Sequence, residues 1–226
     1  MTQPDVPGKL ALLIDFDGTV TEQDMGVALL DAFALEDWRR FEPMREAGLI
    51  VGRECLASEF GCLPSDREEE MARFVREEAV VRPGLRELVE LCREGDIPLN
   101  VVSSGLGFYI RSVLSAHGLS DVPVFSSRGT FDAGERVRVV YDECPEICDS
   151  VGACKCYHAL KYAQMGYTVV SVGDGFSDTC LAGQVDYVFA CGRLRAHCEA
   201  NGIPHFPFND FHDVIARLPQ LTPRRA

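Results

Sequence analysis

A doubly wound α/β sheet carrying a small helical insertion is the fold this sequence predicts, and three observations predict it. Short apolar runs end in polar, glycine-containing turns: Leu10-Ala-Leu-Leu-Ile-Asp15 before Gly18, Leu99-Asn-Val-Val-Ser103 before Ser104-Gly105, and Tyr167-Thr-Val-Val-Ser-Val-Gly-Asp174 before Gly175. Stretches with helical spacing alternate with these runs, as buried parallel strands and their crossover helices do. The alternation is interrupted once, by residues 22–80.

Taken in order, Leu10–Ile14 is the first strand, a run far too short for a signal sequence or a membrane span. Residues 22 to about 80 are rich in Glu, Arg, Ala, Leu and Phe, with turn signals at Gly48, Gly52 and Gly61, and read as a helical cap inserted after that strand. Gly84 to Glu94 places Leu85, Leu88, Leu91 and Cys92 at helix spacing, and Leu106–His117, Tyr157–Gln164 and Phe211–Leu218 read as further helices. Asp186–Ala190 is expected as a fourth strand, and residues 126–141 as a β-hairpin turning near Asp132-Ala-Gly134. The expected division is therefore a core of residues 1–21 and 81–226 and a cap of residues 22–80.

Composition narrows the function. The 226 residues carry a net charge of −13, with 46% apolar and 25% charged residues, ordinary values for a globular chain. The cap segment contributes 15 acidic against 7 basic residues, more than half of the net charge. Nucleic acid and anionic membrane both select basic surfaces, so neither is an expected partner. An anionic substrate must be captured by a local site. With no export signal in the sequence, the expected location is cytoplasmic. The ten cysteines do not read as a secreted disulfide framework: Cys55, Cys92, Cys180 and Cys198 stand in helix-like contexts where buried thiols are usual.

In a doubly wound sheet, ligands sit beyond the carboxyl ends of the strands, so the three polar strand ends point to one crevice. Asp15 and Asp17 are two residues apart, which at a strand terminus puts both carboxylates on one side, while Gly18 lets the chain turn. One carboxylate can act as nucleophile while the other, protonated, acts as acid. Asp174-Gly-Phe-Ser-Asp178 adds two more carboxylates near a helix start. Four converging carboxylates repel one another unless a cation intervenes, and a hard divalent ion such as Mg²⁺ suits that donor set. Ser103 or Ser104 can donate to a phosphate oxygen, and local chemistry does not choose between them. With lysine present only at positions 9, 155 and 161, the choice of a phosphate-neutralising cation is narrow.

Together these residues resemble the four motifs of the haloacid dehalogenase-like superfamily: Asp15-Phe-Asp-Gly-Thr-Val-Thr21, Val101-Val-Ser103-Ser-Gly105, Lys155, and Gly173-Asp-Gly-Phe-Ser-Asp178, in the expected order over about residues 9 to 190. The resemblance implies a Rossmann-like core and a Mg²⁺-dependent phosphatase acting on a small phosphorylated metabolite. Asp15 would be the nucleophile and Asp17 the acid and then the base. Ser103, with Ser104 and Gly105 beside it, and Lys155 would bind the phosphoryl group. Asp15, the Asp17 backbone carbonyl, Asp174 and Asp178 would form the metal site. A carboxylate at position 17 favours phosphate-ester chemistry over dehalogenation, and the cap position resembles the phosphoserine phosphatase-like subgroup. Thr21-Glu-Gln-Asp24, Gly52-Arg53-Glu54 and Cys154-Lys155 are most similar to the methionine-salvage phosphatases, which act on 2-hydroxy-3-keto-5-methylthiopentenyl-1-phosphate. Phosphoserine and phosphocholine-type esters are the other substrates the resemblance allows, with Asp24 and Arg53 as candidate substrate contacts. A phosphotransferase or phosphomutase using the same aspartyl-phosphate is the alternative reaction, and a non-catalytic metal-binding regulator the alternative class. Cys144, Cys148, Cys154 and Cys156, with His158 near, have enough soft ligands for structural Zn²⁺, against a plainer reading as free thiols around the Lys155 loop.

Overall fold

The computed structural model describes residues 9–132, 134–141 and 154–221. Among these, seven strands form one sheet: β1 (Lys9–Ile14), β2 (Leu99–Leu106), β3 (Val124–Thr130), β4 (Arg138–Val140), β5 (Tyr167–Gly173), β6 (Tyr187–Ala190) and β7 (Phe206–Pro207), in the order β4-β3-β2-β1-β5-β6-β7. The pairs β1–β5, β2–β3, β5–β6 and β6–β7 are parallel, and β3–β4 is antiparallel. The helices are α1 (Met25–Phe33), α2 (Phe41–Glu46), α3 (Gly52–Phe60), α4 (Glu68–Glu78), α5 (Leu85–Glu94), α6 (Gly107–Ala116), α7 (Lys155–Gln164), α8 (Thr179–Ala182), α9 (Gly192–Asn201) and α10 (Phe211–Arg217). None is long and apolar enough to cross a membrane.

The chain divides into two compact units. One comprises Met1–Ile14, Arg82–Asn100 and Lys155–Ala226, and the other Asp15–Val81 and Val101–Cys154. In the first, Ala11 to Ile14 of β1 are all buried, the pattern of a strand covered on both faces. Its register with β5 sets Leu12 opposite Val170 and Ile14 opposite Val172, so both strands reach their carboxyl ends together. The order of strands reverses at β1, the position at which open α/β sheets hold their ligands. Helix α5 buries Leu85, Leu88, Val89 and Cys92, a spacing that makes one apolar stripe. Gly84 precedes it at φ +82, and a Cβ there would stand 2.8 Å from the His212 backbone nitrogen, so only glycine lets α5 and α10 approach this closely. Helix α7 packs on β5 and β1.

In the second unit the chain leaves Asp15 and reverses at Gly18, whose φ is +75. Helix α4 directs Met71, Ala72 and Val75 inward against α6. The expected hairpin is present as β3–β4, with Arg128 opposite Val140 and Thr130 opposite Arg138. Three expectations need correction. Helix α7 begins at Lys155, two residues earlier than the periodicity suggests. Helix α9 was anticipated only as the helix-like context of Cys198, because its two buried residues, Leu194 and Cys198, share a face but are too few to mark its extent. Cys180, expected to be buried like Cys55, Cys92 and Cys198, is exposed, because α8 is a single turn that buries Leu181 and Ala182 instead.

Candidate active site

The second unit holds Asp15, Asp17 and the 103–105 turn. Asp15 and Asp17 have extended backbone (φ −69, ψ 162 and φ −72, ψ 123), so their side chains share a side while Phe16 between them is fully buried. Asp15 is 6% exposed and follows Ile14 by one peptide bond. Asp17 is held from two sides: its Oδ1 accepts from the backbone N–H groups of Met25 (2.9 Å) and Gly26 (3.4 Å) at the start of α1, and its Oδ2 accepts from the Tyr109 hydroxyl (2.6 Å). Burial, reinforced by the charge of Asp24, pushes the Asp17 carboxyl up to about 7, against the lowering effect of these three hydrogen bonds. A carboxyl so poised exists in both protonation states near neutral pH, the property an acid–base catalyst needs. Burial, and then the charge of Asp17, holds the Tyr109 phenol well above its ordinary range, so it donates to Asp17 as a neutral hydroxyl.

Gly105 is indispensable to this arrangement. A Cβ there would lie 1.8 Å from the Tyr109 hydroxyl and 2.9 Å from Asp17 Oδ2. Its N–H donates to Ser103 Oγ at 3.0 Å, which leaves the Ser103 hydroxyl proton for another acceptor. Ser104 Oγ is buried without a hydrogen-bond partner among the described residues, while its carbonyl accepts from Ser127 Oγ at 3.0 Å. Asp24 is exposed and caps α1 through Val27 N–H at 2.8 Å. Arg53 lies in α3, its guanidinium carbon 5.9 Å from the centre of the Tyr141 ring and its carbonyl accepting from the Tyr141 hydroxyl at 2.7 Å.

The first unit holds Lys155, Asp174 and Asp178. Lys155 and Asp178 are 4% and 2% exposed, and Lys155 Nζ donates to Asp178 Oδ1 (2.5 Å) and Ser177 Oγ (2.9 Å). Asp178 Oδ2 accepts from the Gly175 N–H at 3.2 Å. An ion pair this deep is retained only when each charge is neutralised by the other and hydrogen-bonded, as here. Oxygen atoms of Asp174 and Asp178 lie within 4.8 Å of one another. Gly173 makes room for this, since a Cβ there would meet the Asp178 carboxyl carbon at 2.4 Å. Asp174 follows β5, and its carbonyl accepts from Leu194 N–H at 2.7 Å. The donors are hard carboxylate oxygens, the set that suits Mg²⁺ rather than a soft ion.

The zinc reading finds no support. Cys144 and Cys148 lie outside the described residues, Cys154 is buried, and the Cys156 thiol points to Cys180, with 3.4 Å between the sulfurs. Two site residues escaped sequence reasoning, Tyr109 and Ser177. For Tyr109 a signal existed: it opens the buried stripe Tyr109, Ile110, Val113, Leu114 of α6, and a phenol on a buried face requires a hydrogen-bond partner.

The haloacid dehalogenase-like hydrolase family matches residues 12–183. A 2-hydroxy-3-keto-5-methylthiopentenyl-1-phosphate phosphatase from Brevibacillus brevis is 34% identical over 215 residues, covering 94% of this chain and 96% of that protein. One of the same description from Geobacillus kaustophilus is 35% identical over 219 residues, covering 94% and 97%. Among solved structures, a phosphoserine phosphatase from T. onnurineus superposes with a TM-score of 0.67 at 19% identity, covering 98% of this chain and 99% of that one. A phospho-aspartyl intermediate analogue of phosphoserine phosphatase gives 0.65 at 17% identity, covering 95% and 100%. At those identities the structural likeness establishes the fold, and the sequence relatives establish the kind of reaction. The chain belongs to the haloacid dehalogenase-like hydrolase family and is a phosphoric monoester hydrolase.

Proposed function

We propose that this enzyme removes the phosphate of 2-hydroxy-3-keto-5-methylthiopentenyl-1-phosphate through an aspartyl-phosphate on Asp15, with Mg²⁺ bound. The observation that carries the substrate is the 34–35% identity, over more than nine-tenths of each chain, to phosphatases described by that substrate.

The residues fit the roles. Asp15, fixed at the end of a central strand, attacks the phosphorus. Asp17, near 7 and held by Tyr109, Met25 and Gly26, donates its proton to the leaving oxygen and then takes one from the hydrolytic water. The Ser103 hydroxyl, Ser104, the turn at Gly105 and the Lys155 ammonium bind the phosphoryl oxygens. Lys155 would share its three donor hydrogens among Asp178, Ser177 and phosphate. Asp15, the Asp17 carbonyl, Asp174 and Asp178 hold the metal, with Asp178 acting chiefly by orienting Lys155. Mg²⁺ there supplies positive charge to the phosphate oxygens and relieves repulsion among the carboxylates. Residues 22–80 serve as the cap of a core made of residues 1–21 and 81–226. Asp24 and Arg53 are the substrate contacts offered from the cap.

A purified sample assayed with Mg²⁺ on the methionine-salvage ester, phosphoserine and phosphocholine tests this reading. The first should be preferred by about 100-fold or more in kcat/KM, a difference of roughly 3 kcal/mol. Equal or faster phosphoserine turnover overturns the substrate, and formation of a phosphate isomer without phosphate release overturns hydrolysis. Asp15→Asn should lower p-nitrophenyl phosphate turnover by at least about a thousandfold while leaving the thermal midpoint unchanged. Chelation with EDTA should abolish activity, and added Mg²⁺ should restore it.

A further inference from the structure

Two thiols flank the buried Lys155–Asp178 pair. Cys156 is the residue after Lys155 in the first turn of α7, and Cys180 is two residues after Asp178 in α8. Their sulfur atoms lie 3.4 Å apart, with the Cys156 thiol donating toward Cys180. Neither is in a disulfide and both are reachable from solvent, Cys180 being exposed and Cys156 partly so, whereas Cys55, Cys62, Cys92, Cys154 and Cys198 are buried. A disulfide requires a sulfur separation of about 2.05 Å, so a movement on the order of 1.4 Å would close the bond.

We propose that Cys156 and Cys180 form a reversible intramolecular disulfide when the protein meets a peroxide, and that this bond restrains Lys155 and slows turnover. The step balances with hydrogen peroxide as the oxidant. The Cys180 sulfur, the more exposed of the two, attacks one peroxide oxygen. The O–O bond breaks, and the departing hydroxide takes the thiol proton to give water and a sulfenic acid. The Cys156 sulfur then attacks the sulfenic sulfur. The S–S bond forms as the S–O bond breaks, and the second hydroxide leaves as water with the Cys156 proton. Two thiols lose two electrons in all, and one peroxide becomes two waters. A dithiol reductant reverses the change by exchange.

The consequence for activity follows from position. Lys155 Nζ already contacts Ser177 (2.9 Å) and Asp178 (2.5 Å). A covalent link from residue 156 to residue 180 ties the first turn of α7 to the turn carrying those two acceptors. Lys155 is then held toward them, and the freedom to shift its ammonium toward an incoming phosphate is reduced.

The test treats the full chain with hydrogen peroxide, quenches free thiols with iodoacetamide, and maps peptides by mass spectrometry, with p-nitrophenyl phosphate turnover measured in parallel. Expected are a linked pair of peptides containing Cys156 and Cys180, a fall in kcat of at least about fivefold, and recovery of both with dithiothreitol. Cys156→Ser and Cys180→Ser should each keep basal turnover and lose the reversible sensitivity. Absence of that linked pair, or a link to Cys154 or Cys191 in its place, overturns the proposal. Equal sensitivity in both serine variants overturns it as well. A mapped Cys156–Cys180 link with unchanged kcat overturns the effect on Lys155.

Discussion

At Asp17 the structure adds a specific environment to a position the sequence only suggests. The spacing of Asp15 and Asp17 after an apolar run marks a pair of carboxylates on one side of an extended segment. The environment distinguishes the two: burial and then Asp24 push the Asp17 carboxyl up to about 7, while Tyr109 donates to its Oδ2. Tyr109→Phe keeps the ring in the space beside Phe16, 6.0 Å between centroids, and removes only the 2.6 Å hydrogen bond. Losing a bond to a charged group costs about 1.5–3 kcal/mol, so kcat should fall at least roughly 10-fold with little change in KM. Steady-state kinetics on p-nitrophenyl phosphate checks this. A variant with wild-type kcat would remove Tyr109 from the site. Asp24, by contrast, was readable as a charge near the site, and the structure assigns it a definite local task as the N-cap of α1.

At the scale of elements, the strands were legible because burial on both faces leaves a continuous apolar run, and β1, β2, β5 and β6 all have one. The extent of helix α9 and the two-residue β7 were not, because neither carries a stripe long enough to betray its period. The turn after β5 shows the fit required between elements. Gly173 ends the strand directly beneath the Asp178 carboxyl, and that carboxyl anchors Lys155 at the start of α7. Gly173→Ala introduces a methyl 2.4 Å from the carboxyl carbon, a separation that real Cβ atoms do not adopt. Asp178 must move, and an uncompensated buried lysine is worth several kcal/mol. The expected result is a loss of at least about 100-fold in kcat/KM together with a lower thermal midpoint. Near-normal kinetics would mean that the Lys155–Asp178 pair is dispensable.

For the molecule as a whole, stability should depend on pH through His158, one turn along α7 from Lys155. Burial, with a smaller push from Lys161, lowers its imidazole from the usual 6.5 to about 4. The unfolded chain takes up a proton near 6.5 while the folded protein declines it until about 4. Stability is therefore full above 6.5 and is lost progressively as pH falls through that window. By pH 5 the loss from this group should be about 2 kcal/mol. Urea unfolding at pH 7 and pH 5 reads it, and His158→Gln should show the smaller decline of the two proteins. An identical decline would move the effect to other groups.

The sequence by itself determined the alternating strands and helices, the carboxylates at two strand ends, the candidate serine and lysine, and the family that residues 12–183 match. Those features are local: each is written in the period of an apolar run or in the residue that ends it. Only the tertiary structure decided that Tyr109 holds Asp17, that Lys155 leans on Ser177 and Asp178, that Gly105 and Gly173 are steric necessities, and that Cys156 faces Cys180. Apart from the two glycines, which meet Tyr109 and Asp178 nearby in the chain, the partners stand far apart along it, from 22 positions for Lys155 and Ser177 to 92 for Asp17 and Tyr109. Proximity of that kind is fixed by how helices pack, and no local pattern encodes it.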